Sequence, residues 1–191
     1  GLINLIQATD PALQSDMQLQ TMRAAADYMM GRTRDAHNAI AGTQFDADRH
    51  AALWRGLIET ALDDWGNAHS DLDHASPVLG LYRIDMQARV RIANAVAALG
   101  LGRLEIADAQ LARLPNQVER PLTLQAELAH ARLYAAENRQ HEAKALFAAV
   151  ETSGDDRLAA EAIYYRVSAS LAAGTMLAST GINALERLRF R

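Results

Sequence analysis

Cysteine is absent from this chain of 191 residues, aromatic side chains make up 5% of it, and there are four prolines. The missing cysteine excludes disulfide frameworks, Cys-ligated zinc, iron–sulfur clusters and thiol catalysis. No apolar run approaches the roughly 18 residues that span a bilayer, so no membrane insertion is expected of this segment. Positive charge is also in short supply. Nineteen Lys and Arg against 23 Asp and Glu leave a net charge of -4, which argues against nucleic acid or an anionic membrane as partner. Strand signals are lacking, because no stretch alternates apolar and polar residues with β-branched enrichment. Disorder is excluded in turn, since half of the residues are apolar and the charge is modest. A chain without cysteine suits cytoplasm and periplasm alike.

What fills the composition is alanine, roughly one residue in five. Alanine has the best helix propensity and lets helices approach closely, but each buried methyl contributes little transfer energy. Such a chain favours layered helix pairs over one thick core. Lys144 is the only lysine, and with the alanine this reads as genome composition. No signal-peptide pattern is visible after Gly1, and no helix stop signal precedes Arg191. A segment of a larger bacterial protein is therefore expected.

Helix punctuation runs along the whole chain. Thr9-Asp10-Pro11 offers a cap and a first-turn proline, Gly31 a stop, and Asp48, Pro121 and Asp155 further starts. The pattern gives ten helices in five long–short hairpins at about 11–42, 48–76, 84–115, 121–151 and 156–190. Small residues at Ala36, Ala68, Ala107, Ala143 and Ser179 recur 32, 39, 36 and 36 residues apart. Twelve residues before each stand Ala24, Gly56, Ala95, Ala131 and Val167; four after each stand Ile40, Leu72, Leu111, Phe147 and Asn183. The turn between the helices falls on Gly31, Asp63, Gly102, Asn138 and Gly174.

A small residue in each helix, a turn residue between them and a large apolar residue one turn later resemble the tetratricopeptide repeat, a helix–turn–helix unit of about 34 residues. The fourth unit (Ala131, Tyr134, Asn138, Ala143, Phe147) and the third (Ala95, Gly102, Ala107, Leu111, Leu114) carry the likeness best. The family's early tryptophan is out of register, its closing proline is missing from most units, and the fifth unit departs at Val167, Ser179 and Asn183. The resemblance implies an all-α fold, a right-handed α-solenoid of about five antiparallel helix hairpins. Another helical bundle is the alternative architecture.

Candidate chemistry is sparse. His69 and Asp73 share a helical face beside Asp71 and His74, a spacing that suits a metal. With no partner cluster, they read as a solvated face with a weak His–Asp pair. Gly100-Leu101-Gly102 lacks the strand and the Lys-Ser/Thr of a phosphate loop and reads as a helix stop. Ser168 and Ser170 lie in a helix, not at a nucleophile elbow. Asp63-Asp64 and Asp155-Asp156 sit at turns and read as caps. Trp65 reads as core, with an aromatic ligand anchor as the alternative for it and Trp54. Arg83, Arg89 and Arg91 form no continuous basic stripe. No enzyme activity and no cofactor are expected.

Surface remains. The resemblance implies that the first helix of each pair lines a concave side. In this register Tyr28, His50, Thr60, Arg89, Gln125, Arg132, Glu161 and Tyr164 face it, a mixed polar and aromatic set suited to a protein or peptide partner. The expected function is a protein-interaction scaffold. A regulatory or substrate-positioning module of a larger enzyme and a self-assembling homo-oligomer are the alternatives.

Overall fold

The structure is a computed structural model that describes residues 16–186. Among the described residues there are α-helices, two 3-10 segments and no strand, so the fold is all-α. The first hairpin is α1 (Met17–Met29) and α2 (Thr33–Ile40); the second is α3 (Arg49–Ala61) and α4 (Trp65–Ala75). The third is α5 (Ile84–Gly100) and α6 (Leu104–Leu111), and the fourth α7 (Arg120–Ala136) and α8 (Gln140–Glu151). The fifth is α9 (Asp156–Ala172) and α10 (Ala178–Glu186). Short 3-10 segments at Thr43–Phe45 and Ser76–Leu81 precede the second and third hairpins.

Four of the helix starts are set by aspartates. Asp16, Asp48, Asp64 and Asp155 cap α1, α3, α4 and α9, each accepting backbone N–H groups of the first turn with its carboxylate. Such caps satisfy donors that have no intrahelical partner. The expected start at Thr9–Pro11 lies outside the described residues. Ser76-Pro77 does not merely punctuate but begins a 3-10 segment.

All five hairpins turn in the same way. Gly31, Asp63, Gly102, Asn138 and Gly174 adopt left-handed φ values of 76, 60, 70, 62 and 67°. The next residue's N–H then reaches back to a carbonyl in the last helical turn: Arg32 to Asp27 (2.8 Å), Asp64 to Glu59 (3.0 Å), Arg103 to Ala98 (2.8 Å), Arg139 to Tyr134 (2.8 Å) and Thr175 to Ser170 (2.9 Å). This closure satisfies orphan carbonyls and reverses the chain within a few residues.

The turns bring small residues together. Ala24, Ala36, Gly56, Ala68, Ala95, Ala107, Ala131 and Ala143 are all buried. A side chain of one carbon or none at the crossing lets two helix axes approach closely. At Gly56 the fit is close: a Cβ there would lie 2.6 Å from Leu72 Cγ and 3.1 Å from the Ala68 carbonyl oxygen. One turn beyond the small residue of each second helix, Ile40, Leu72, Leu111 and Phe147 fill the groove toward the next hairpin and are at most 3% exposed.

The fifth hairpin corrects the sequence register. Ser179 and Asn183 are exposed, and the buried small residue is Gly181, facing Val167 and Leu171. The cause is the longer turn. In the first four hairpins the second helix starts two residues after the left-handed residue, whereas α10 starts four after Gly174. Those two extra residues move the contact by two.

Each hairpin packs on its neighbours in sequence: α2 on α3, α4 on α5, α6 on α7, α8 on α9. The first helices also touch one another in the order α1, α3, α5, α7, α9 and so form a continuous row. Buried apolar clusters follow the same order, from Ala24, Ile40 and Phe45 at one end to Phe147, Val150 and Leu158 at the other.

The Gly56 contact gives a test with opposite signs. Gly56→Ala should destabilise by about 1–3 kcal/mol through overpacking against Leu72. Gly66→Ala, whose added Cβ meets nothing within 4 Å, should stabilise by a few tenths to about 1 kcal/mol through helix propensity. Urea unfolding monitored by circular dichroism reads both; a stabilising Gly56→Ala would refute the close-approach account.

Candidate functional site

The row of first helices bounds a concavity of about 780 Å³. Its lining follows helical periodicity. Arg89, Ile92, Ala93 and Val96 of α5 stand at i, i+3, i+4 and i+7, and Gln125, Leu128, Ala129 and Arg132 of α7 repeat that spacing. Residues so spaced share one helical face. On one flank the wall is made by Tyr28 at the end of α1 and Leu57, Thr60 and Ala61 at the end of α3; on the other it is Leu158 and Glu161 near the start of α9 and Tyr165 at its middle. Apart from Thr33 and Trp65, which begin α2 and α4, the lining comes from first helices and turns.

Of the residues expected on this side, Tyr28, Thr60, Arg89, Gln125, Arg132 and Glu161 line the concavity, whereas His50 and Tyr164 lie outside it. The concavity crosses the row at a slant, meeting α1 and α3 near their C-terminal ends and α9 near its N-terminal end. His50, second residue of α3, is therefore at the far end of its helix. Its Nδ1 instead meets the Tyr82 hydroxyl at 2.7 Å, pinning α3 to the segment that leads into α5. Burial, then the Asp48 carboxylate, push the Tyr82 phenol above its ordinary pKa. Tyr164 is one residue, about 100° of helix, from Tyr165 and is 51% exposed on the outer face. Tyr165 takes the inner place. The stripe Leu158–Glu161–Tyr165 at i, i+3 and i+7 was the sequence signal for it.

Arg132 is the central charged group. Its Cζ sits 3.9 Å from the centroid of the Tyr165 ring, a cation–π contact. Burial lowers its affinity for the proton, opposed by Tyr165, Glu161 and Asp63. Tyr165 responds inversely: burial raises its phenol and Arg132 lowers it. Among the described residues, neither Arg132 nor Arg89 has a hydrogen-bond partner or a carboxylate within ion-pair distance. Glu161 is engaged within its own helix by Arg157 at 2.5 Å.

Trp65, expected as core, is half-buried on the wall of the concavity. Its ring lies over Gly100, where a Cβ would come 2.5 Å from Trp65 Cγ. Trp54 packs edge-on against Tyr28, with ring centroids 6.4 Å apart, between the first two clusters. Arg91 faces away from Arg89, toward Gln110 of α6 at 3.5 Å. Asp64 and Asp155 cap helices, while Asp63 is the left-handed turn residue and borders the concavity. The His69 expectation is corrected as well. Its Nδ1 does not pair with an aspartate but meets the buried Asn94 Oδ1 at 2.7 Å, joining α4 to α5. Among the described residues no group of three His, Asp or Glu side chains is placed to hold a metal ion. No described helix is long and apolar enough to cross a membrane.

An ionic cluster behind the wall fixes the second hairpin. Arg55 of α3 pairs with Asp71 of α4 and with Asp46 at 2.9 Å. Its hydrogen bond to Asp71 is the main cause that holds the guanidinium above its usual range. Glu59, one turn further along α3, is buried and its Oε2 has no partner. Burial first, then the charge of Asp71, push Glu59 up to about 8.

No protein-family model, curated protein or solved structure matches this chain.

Between its ordinary value of 4.5 and about 8, Glu59 keeps a proton in the folded chain that the unfolded chain releases. Stability therefore falls as pH rises through that window. Glu59→Gln should remove this part of the slope, melting higher than the parent at pH 8 and converging with it toward pH 5. Thermal melts across pH 5–9 check this, and equal slopes for the two proteins would contradict it.

Proposed function

We propose that this chain is a protein-interaction scaffold, a right-handed α-solenoid of tetratricopeptide-like type. In this reading it holds a peptide segment of a partner protein in the concavity of its first helices. The observation that carries the reading is that all five first helices contribute to a single concavity. Two further features support it. The five hairpins share a left-handed turn residue and the hydrogen bond that closes behind it, as stacked copies of one unit do. The lining combines an apolar floor, Ile92, Val96 and Leu128, with polar and aromatic groups, Thr60, Gln125, Arg132 and Tyr165. Apolar area supplies affinity for a peptide, and a few fixed polar groups set its register. Recognition of this kind works by complementarity and involves no bond making.

The test is a selection from random 12-residue peptides displayed on phage, followed by anisotropy titration of the enriched sequences as synthetic peptides. Gln125→Trp fills the concavity from a half-buried position without entering the core. It should weaken binding at least tenfold and leave the melting temperature within about 2 °C, since surface changes are usually within about 0.5 kcal/mol. Peptides that bind parent and Gln125→Trp equally would place recognition elsewhere.

A further inference from the structure

We infer that the segment held in the concavity is acidic: it carries an Asp or Glu side chain, next to apolar residues, whose carboxylate is taken by Arg132 with Arg89 beside it. This rests on the groove reading above and adds the chemistry of the occupant.

The argument starts from Arg132. Arg132 is half-buried, with Glu161 and Asp63 acting on it only at a distance, and a guanidinium that loses part of its water gains from a carboxylate in direct contact. Here the Tyr165 ring covers the group at 3.9 Å and offsets part of that cost. A ring accepts no conventional hydrogen bond, however, and guanidinium has five N–H donors in a planar fork. Among the described residues no acceptor engages those donors. Arg89, on the neighbouring helix and in the same concavity, is equally unpaired among the described residues. Arg32 and Arg139, which follow the first and fourth turn residues, are bonded to acids, Arg32 to Asp27 and Arg139 to Glu137 and Glu142, whereas Arg103 after the third turn is exposed to water.

Charge balance points the same way. The chain as a whole is at -4, yet the concavity holds Arg89, Arg132 and Arg157 against Asp63 and Glu161. Glu161 is neutralised by Arg157 at 2.5 Å, which leaves Arg89 and Arg132 against Asp63, a net single positive charge. A cleft with low-dielectric walls concentrates such a field. A carboxylate matches the guanidinium fork in a two-bond geometry. The floor next to it, Ile92, Val96 and Leu128, is apolar, so the residues flanking the acid are expected to be apolar too.

The phage format distinguishes the source of the carboxylate, because each displayed peptide is fused through its C-terminus and offers only side-chain acids. Enriched sequences should contain Asp or Glu beside Leu, Ile, Val or Phe. As C-terminally amidated peptides they should lose at least tenfold in affinity when that acid becomes the amide. Arg132→Gln should lose a similar factor, and on that variant the acid-to-amide change should have little further effect. Arg132→Lys keeps the charge without the planar fork and should fall between. Should Arg132→Gln fold poorly, Arg89→Gln serves as the second variant and should narrow the acid-to-amide difference. Enriched peptides without an acid, an acid-to-amide penalty undiminished in both glutamine variants, or binding only by free C-terminal carboxylates would overturn the inference. If Gln125→Trp blocks peptides whose acids are immaterial, only this inference fails; if Gln125→Trp blocks nothing, or no peptide is enriched, the groove reading fails with it.

Discussion

Close approach of the two helices in each hairpin, at one small residue on either side, is the constraint on which the rest of the structure depends. At Ala24–Ala36, Gly56–Ala68, Ala95–Ala107 and Ala131–Ala143 there is room for a methyl group or less. Without that proximity the left-handed turn would not close, and the large residue one turn on would not reach the neighbouring hairpin. The fifth hairpin shows how firm the constraint is. Its turn is longer, and the contact moves to Gly181 rather than being lost. Alanine abundance, which in composition alone is ambiguous, is in these places a packing requirement.

Several arginines fasten one part of the fold to another. Arg32 holds Asp27 across the first turn, Arg55 ties Asp71 and Asp46 to α3, and Arg166 joins α9 to Glu151 of α8 at 2.5 Å. Arg139 lies over Tyr134 at 4.0 Å between Glu137 and Glu142. These are fasteners, each with an assigned acid. Arg89 and Arg132 have none among the described residues, and both face the concavity.

What was legible in the sequence was local. The turn residues Gly31, Asp63, Gly102, Asn138 and Gly174 were readable because a left-handed position tolerates few residue types and ends a periodic run. The inner faces of α5 and α7 were readable because Arg89, Gln125 and Arg132 fall on a 3.6-residue period. What was not legible depends on how the hairpins are placed in space. Equal register places His50 level with Arg89, but the concavity runs obliquely and passes the other end of α3. Tyr164 and Tyr165 are adjacent in sequence; the stripe Leu158–Glu161–Tyr165 puts Tyr165 on the inner face, but its contact with Arg132 depends on how α9 packs on α7. The His69–Asn94 bond and the burial of Glu59 beside Asp71 join residues of different helices, a matter on which periodicity is silent. The shift from Ser179 to Gly181 follows from two extra turn residues whose conformation no motif announces.

The nearest-neighbour order of the helix packing has a mechanical consequence. Among the described residues the closely packed first helices are neighbours in the row, and Tyr28 of α1 and Tyr165 of α9 border the same volume. The span between them is the accumulated sum of four inter-hairpin angles. A fraction of a degree at each joint, too small to disturb any one core cluster, adds up to a change in the opening of the concavity. The molecule is in that sense a caliper: its jaws are set by hinges spread along the whole chain, and a side chain exchanged at any one of them resets the gauge.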